Sequence, residues 1–325
     1  MGNESIMNVN YQQKETGMKV GFIGLGTMGL GMALNLRKAG YDLVVYDVRK
    51  ESAQPLLAAG ATWAASIGEL GSVADVVFTS VPGPKEMQEV GLGKGGLLES
   101  MKPGSVWFDL TTNSPTVVRS VHEQCAEKGI ALLDAPVSGG PAGANSGKLA
   151  IYVGGDRNTF DAQKKLLDAI GDQVIYVGPV GAGGVAKIVH NCASLTIRMV
   201  IAEVISLGVK AGVEPLELWH AVRQGAIGRA RTFDRIGDQY LQNKYDPPNF
   251  ALRLAHKDLM LSLDLGKELG VPMKYAQVTN EDFTEALARD WGSRDSRSPM
   301  QLQNERAGVT IQCSAEDVKK TLARA

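Results

Sequence analysis

Residues 19–47 read KVGFIGLGTMGLGMALNLRKAGYDLVVYD, and this stretch decides the fold. The apolar run Lys19–Ile23 leads into Gly24-Leu25-Gly26-Thr27-Met28-Gly29, then a helical stretch, a second apolar run and an acid, Asp47. The spacing is that of a dinucleotide fingerprint, and each glycine has its own physical reason. Gly24 permits the tight turn, Gly26 lets backbone approach a pyrophosphate, and Gly29 lets the helix sit close to the strand. The helix N-terminus, with Leu25, Thr27 and Met28 leading into it, offers N–H groups and a partial positive charge to phosphate. Asp47, 18 residues after Gly29, ends the second strand where a carboxylate can accept hydrogen bonds from ribose hydroxyls. Strand, turn, helix, strand and acid in register within one βαβ unit predict NAD binding, with NADP as the other option.

Working outward, 325 residues allow one large or two ordinary domains. Hydrophobic residues make up 44% and charged residues 21%, the composition of an ordinary globular chain. A net charge of −1 supplies no electrostatic reason for a nucleic-acid or membrane partner. Cys125, Cys192 and Cys313 lack metal-site spacing, and their odd number argues against a disulfide framework. A cytoplasmic setting and no metal are expected. Residues 1–17 are polar, without the layout of a signal peptide, and read as a disordered tail.

Strand–helix alternation continues after residue 47. Candidate strands are Asp75–Val81, Ser105–Leu110, Ile130–Asp134, Leu149–Val153 and Gln173–Val177, separated by helical segments such as Ser52–Ala59 and Thr116–Lys128. This predicts an α/β class: a Rossmann-type, doubly wound, mostly parallel sheet with helices on both faces. Beyond Gly178-Pro179-Val180-Gly181 the pattern becomes helical. Val185–Ala211 is apolar on nearly every side, which marks a buried or interface helix. Lys187, Arg198, Glu203 and Lys210 interrupt it too often for a membrane span. Helices follow at Glu214–Gln224, Phe250–Leu269 and Tyr275–Arg289. The expected domains are an NAD-binding unit over 18–180 and an all-helical substrate and oligomerisation unit over 181–310, with a tail at 311–325. The cleft between them is the default active site.

Lys187 leads the candidates for chemistry. It opens the long apolar helix in GAGGVAKIVHN, with Asn191 one turn later on the same face. A lysine in an apolar shell gives up its proton more readily, which suits it to exchange a proton with a carbonyl or hydroxyl oxygen. A first-turn lysine reaching solvent is the ordinary alternative. His190 is a rival for acid–base work. In DAPVSGGPAGANSGKL (134–149), Ser138, Gly139 and Gly140 offer a hydroxyl and two open backbone N–H groups, a nest for a carboxylate. On composition alone a surface loop is the better reading. Thr111-Thr112 and Val81-Pro82 follow strands, at the edge where ligands bind in open α/β sheets. Lys257 beside Asp258 reads as an ordinary solvated pair.

Taken together, GFIGLGTMG, DAPVSGG, GAGGVAKIVHN and KDL, in that order over roughly 19–290, resemble the β-hydroxyacid dehydrogenase family of 3-hydroxyisobutyrate dehydrogenase and tartronate semialdehyde (2-hydroxy-3-oxopropionate) reductase. The resemblance implies NAD(P)-dependent oxidation of a short 3-hydroxy acid to its semialdehyde or 3-keto acid, or the reverse. It also implies assembly into homodimers or homotetramers. Carried over by position, Lys187 resembles the catalytic lysine and Asn191 its partner, while Ser138, Gly139 and Gly140 resemble the carboxylate-binding turn. Val81, Pro82, Thr112 and Lys257 match positions lining the nicotinamide end of the cofactor, and Phe250 matches an aromatic wall of the substrate pocket. Three departures stand out. Asn113 replaces a branched apolar residue, Lys148 replaces a common threonine, and the stretch from Asp290 is longer and more basic. Imine reduction and an inactive dinucleotide-binding scaffold are the competing readings; a 6-phosphogluconate dehydrogenase would need a larger helical part.

Overall fold

The structure, a computed structural model, describes residues 17–225, 228–230, 236–270 and 273–323; the expected N-terminal tail, apart from Gly17, lies outside them. Nine strands form one sheet: β1 (Lys19–Ile23), β2 (Asp42–Tyr46), β3 (Thr62–Trp63), β4 (Val76–Thr79), β5 (Val106–Asp109), β6 (Ala131–Asp134), β7 (Val137–Ser138), β8 (Leu149–Gly154) and β9 (Gly171–Gly178). Their order is β3-β2-β1-β4-β5-β6-β8-β7, with β9 also on β8. Pairing is parallel from β3 to β6, β8 runs antiparallel to β6 and β7, and β9 is parallel to β8.

Both faces of the sheet are covered, which is why its strands read as apolar runs rather than alternating ones. Val20, Phe22, Phe78 and Phe108 pack on one side, and Ile23, Val77, Trp107 and Leu132 on the other. The covering helices are α1 (Gly29–Lys38), α2 (Gln54–Ala58), α3 (Ile67–Val73), α4 (Pro84–Leu92), α5 (Leu97–Ser100), α6 (Pro115–Glu127), α7 (Gly140–Ser146) and α8 (Arg157–Asp168). The strands anticipated from sequence are all present, trimmed or extended by a residue or two. The two-residue strands β3 and β7 are too short to leave a pattern.

The chain divides into two compact units, one ending at Lys187 and the other beginning at Ile188, so by packing the division falls inside the first turns of α9 (Ala182–Lys210), a few residues past the expected boundary at 180. The second unit continues with α10 (Pro215–Gln224), α11 (Leu252–Glu268), α12 (Lys274–Ala288), α13 (Met300–Ala307) and α14 (Ala315–Leu322) around a core that includes Leu195, Trp219, Tyr240, Leu259 and Phe283. The expected C-terminal tail is corrected. Ile311 and Val318 belong to that core, and the Ser314 hydroxyl caps α14 through Asp317 N at 3.1 Å. A serine followed three residues later by an acid is a helix-start signal that sequence reading passed over.

The long helix has one buried side and one exposed apolar side, as a helix that is partly core and partly interface would. Leu195, Met199, Ile201, Ala202 and Ile205 are buried, whereas Val189, Ile197 and Val200 are 61%, 44% and 52% exposed. Its first 21 residues are long and apolar enough to cross a membrane, so the charges alone do not decide the matter. One side of it packs in a helical core, and Asn191 is bonded to Asp258.

Candidate active site

The glycine turn is built as its spacing requires. Gly24 has φ +92°, and a Cβ there would overlap the Ser80 carbonyl; a Cβ on Gly29 would overlap the Gly24 carbonyl. Only glycine fits either place. A Cβ on Gly26, by contrast, would meet nothing within 4 Å, which leaves an open floor at the mouth of α1. No acid stands in the first turn of α1 to oppose an anion. Asp47 is 9% exposed, with one carboxylate oxygen accepting from Leu25 N at 2.7 Å and the other from Arg49 N at 2.8 Å. The carboxylate is thereby fixed, and each oxygen keeps a second lone pair for a ribose hydroxyl. These features fit an NAD(P) pyrophosphate and ribose.

Two further loops at the same sheet edge are tied together. Val81 N donates to Thr111 Oγ1 at 3.2 Å, which joins the Val81-Pro82 turn after β4 to the Thr111-Thr112 turn after β5. Beneath them lies Asp109, fully buried, accepting from Thr79 Oγ1 at 2.8 Å, Thr111 N at 3.2 Å and Asn113 Nδ2 at 3.1 Å. Burial pushes its carboxyl above the usual range, and the three donors oppose that shift. Asn113, flagged above as a departure, is thus a donor to a buried acid.

Ser138 ends β7, and Gly139 (φ +136°) and Gly140 (φ +62°) turn the chain into α7. What composition favoured as a loop is a strand, a glycine corner and a helix. The helix is seated against α1: Asn35 Nδ2 donates to Ala144 O at 2.7 Å, and a Cβ on Gly31 would crowd Ala144 and Asn145. Lys148, past the end of α7, is exposed.

Helix α9 carries Lys187 and Asn191 one turn apart, 8% and 9% exposed. A lysine so enclosed is not the solvated first-turn lysine of the ordinary reading. Asn191 Nδ2 donates to Asp258 Oδ2 at 2.5 Å, and Asp258 Oδ1 pairs with Lys257 Nζ at 2.8 Å. The Lys257–Asp258 pair, read from sequence as solvated, therefore rests on a carboxylate only 3% exposed. His190 is exposed, its Nδ1 3.1 Å from Asn191 Oδ1. Phe250 precedes α11, with its N–H on Asp295 Oδ2 at 3.2 Å and its carbonyl accepting from Ser296 N at 2.7 Å. Sequence reading missed Asp109, Asp134, Asp258 and Asp295 as site-building residues. Two of them leave a faint signal, an acid closing an apolar strand run in VWFD and ALLD. Among the described residues no cluster of three His, Cys, Asp or Glu could hold a metal.

Comparison with known proteins bears on the fold and the cofactor class. Residues 19–178 match the NAD binding domain of 6-phosphogluconate dehydrogenase, and residues 181–302 match a domain described as the NAD-binding domain of NADP-dependent 3-hydroxyisobutyrate dehydrogenase. The chain is 33% identical to the 2-(hydroxymethyl)glutarate dehydrogenase of Eubacterium barkeri, over 91% of this chain and 98% of that one. It is 40% identical to the NAD-dependent L-serine dehydrogenase of Pseudomonas aeruginosa, over 65% and 70% of the two chains. Among solved structures it is similar to 3-hydroxyisobutyrate dehydrogenase from Salmonella typhimurium, with a TM-score of 0.78 and 29% identity over 88% of this chain and 100% of that one. Fingerprint, fold and relatives converge, and the chain belongs to the β-hydroxyacid dehydrogenase family, NAD(P)-dependent oxidoreductases that act on the CH–OH group of small hydroxy acids.

Proposed function

We propose that this enzyme interconverts a short 3-hydroxy acid and its semialdehyde or 3-keto acid, with Lys187 as the proton-transfer group. One observation carries the reading: Lys187 and Asn191 are both buried on one helix, one turn apart, and Asn191 is held by a carboxylate. Bound at the glycine turn, the nicotinamide cofactor supplies the hydride acceptor or donor. In oxidation Lys187 Nζ accepts the proton leaving the C3 hydroxyl; in reduction it returns a proton to the carbonyl oxygen. Asn191 orients the reacting oxygen, its amide fixed by Asp258. Ser138 and the N–H groups of Gly139 and Gly140 receive the substrate carboxylate, and Phe250 walls the substrate. Val81, Pro82, Thr112 and Lys257 line the nicotinamide end. The buried lysine separates this reading from imine reduction and from an inactive scaffold.

The substrate class is a hydroxy acid of the size handled by the relatives, among 3-hydroxyisobutyrate, serine, glycerate with tartronate semialdehyde, and 2-(hydroxymethyl)glutarate. A homodimer or homotetramer is supported by the exposed apolar stripe Val189, Ala193, Ile197 and Val200 along α9. A cytoplasmic setting is supported by three cysteines present as free thiols. The test is an NADH-fluorescence screen over these acids, repeated with Lys187→Ala. We expect kcat to fall by roughly 10²–10⁴-fold with NADH binding retained. A variant keeping more than about a tenth of wild-type kcat would move the role to another group.

A further inference from the structure

The first turn of α9 is gripped by a buried carboxylate, that of Asp134. Asp134 ends β6 and is 2% exposed. One carboxylate oxygen accepts from Gly181 N and the other from Gly184 N, both at 2.6 Å, so the two prongs straddle the start of the helix. Glycines make the approach possible. A Cβ on Gly183 would overlap the Tyr152 carbonyl and lie 2.7 Å from Asp134 O, and one on Gly154 would lie 2.6 Å from Asp134 Oδ1. Asp134 and Gly154 are themselves partners across β6 and β8. Two strand ends and one helix start thus meet with no room for side chains between them.

Lys187 lies four residues beyond Gly183 and three beyond Gly184, on the helix face that this joint fixes. Helical side chains lean toward the N-terminus, so the lysine stem is carried back over the gripped turn. Helix starts are ordinarily capped by a hydroxyl or an exposed acid near the surface. A buried carboxylate is a costly way to do the same job, because desolvation opposes its charge. What it adds is two short, charge-assisted bonds of fixed direction.

We propose that Asp134 is the positioning residue of Lys187, holding the first turn of α9 so that the ammonium is delivered to one place. The same residue opens DAPVSGG, so it joins the strand that leads to Ser138 to the helix that bears the lysine. This rests on the reading of Lys187 as the proton-transfer group, and the test separates the two.

Kinetics with 3-hydroxyisobutyrate and L-serine are measured on Lys187→Ala, Asp134→Asn and Asp134→Ala, each normalised to NADH-binding sites counted by fluorescence titration. In parallel, an amine-reactive reagent is applied to wild type and the Asp134 variants, and labelling of each lysine is followed by peptide mass spectrometry. Asp134→Ala should lower kcat per site by roughly 10–100-fold with NADH affinity unchanged, and Asp134→Asn, which keeps one acceptor oxygen, should fall between. Lys187 should label several-fold faster in Asp134→Ala, while Lys19 and Lys38 do not change. Where Asp134→Ala does not fold, Asp134→Asn carries the comparison. Wild-type kcat per site and wild-type labelling of Lys187 in the Asp134 variants would overturn the proposal. Full activity in Lys187→Ala would instead sink the catalytic reading, and the labelling would still decide whether Asp134 holds the lysine.

Discussion

Replacing Asn113 with alanine tests the buried network beneath the loops that follow β4 and β5. Trp107 Nε1, which can only donate, is 2.9 Å from Thr79 Oγ1, so the Thr79 hydroxyl must point its hydrogen at Asp109. Thr111 N and Asn113 Nδ2 are donors as well, and all three favour the ionised carboxylate against the burial that raises its pKa. Asn113→Ala removes one of them, worth about 1.5–3 kcal/mol for a bond to a charged group. It also removes the bond from Ser114 N to Asn113 Oδ1, 2.8 Å long, worth about 0.5–1.5 kcal/mol. The sum is a loss of about 2–4.5 kcal/mol, read from urea denaturation followed by tryptophan fluorescence. The loss should depend on pH. Asp109's folded pKa is raised by burial, so as pH falls the folded state takes up the proton before the unfolded one. Losing a donor raises that pKa further, and the protonated acid needs its donors less. The penalty should therefore be largest near neutrality and shrink as pH falls through the raised pKa. Adding Asp109→Asn should give a double variant less unstable than the two single losses summed, because the orphaned charge is gone. A penalty under about 0.5 kcal/mol at neutral pH, or one that grows as pH falls, would refute the reasoning.

Asp47 should make NAD the better cofactor by kcat/KM, since its fixed carboxylate would repel a 2′-phosphate. Asp47→Ser should move the ratio toward NADP by about tenfold or more, or about 1.4 kcal/mol, with Arg49 beside it; an unmoved ratio would show that another residue sets the choice. If the α9 stripe is the interface of the proposed homo-oligomer, Ile197→Glu should lower the mass read by light scattering, and an unchanged mass would count against that interface. Lys148→Thr should leave relative kcat/KM across the hydroxy acids within about twofold, because the lysine is exposed; a selective loss on the more polar acids would show that it reaches the substrate.

What was legible in the sequence was local. The glycine turn, the strand runs and Asp47 lie within one βαβ unit, where spacing fixes geometry, and the structure keeps them in place. Less legible was any partner far along the chain. Asp134 and Gly184 are 50 residues apart, Asn191 and Asp258 are 67, and Asp295 and Phe250 are 45. A carboxylate's donors at such distances are chosen by tertiary packing, which periodicity does not record. For the same reason Asn113 could be seen as unusual but not as bonded, and Lys257–Asp258 looked like a solvated pair until Asn191 arrived from another helix. The misread C-terminal stretch is different, since Ser314-x-x-Asp317 carried a usable local signal.

A common rule nevertheless connects the hidden acids. Strands β2, β5 and β6 each run straight into or end on an aspartate, Asp47, Asp109 and Asp134, at the sheet edge where the ligand-binding loops begin. Each is turned onto backbone N–H groups of the loop or helix it must hold: Leu25 and Arg49, Thr111, Gly181 and Gly184. Asp109 and Asp134 are even register partners on neighbouring strands, and burial raises both carboxyls. A chain selected for stability alone would fill such a row with apolar residues, since a buried charge is rarely the cheapest packing. Its persistence along one edge is understandable where backbone must be held within a fraction of an ångström beside reacting atoms. An acid that closes an apolar strand run and precedes a glycine or threonine turn is therefore a readable mark of that edge, and here it marks the loops that carry the candidate site.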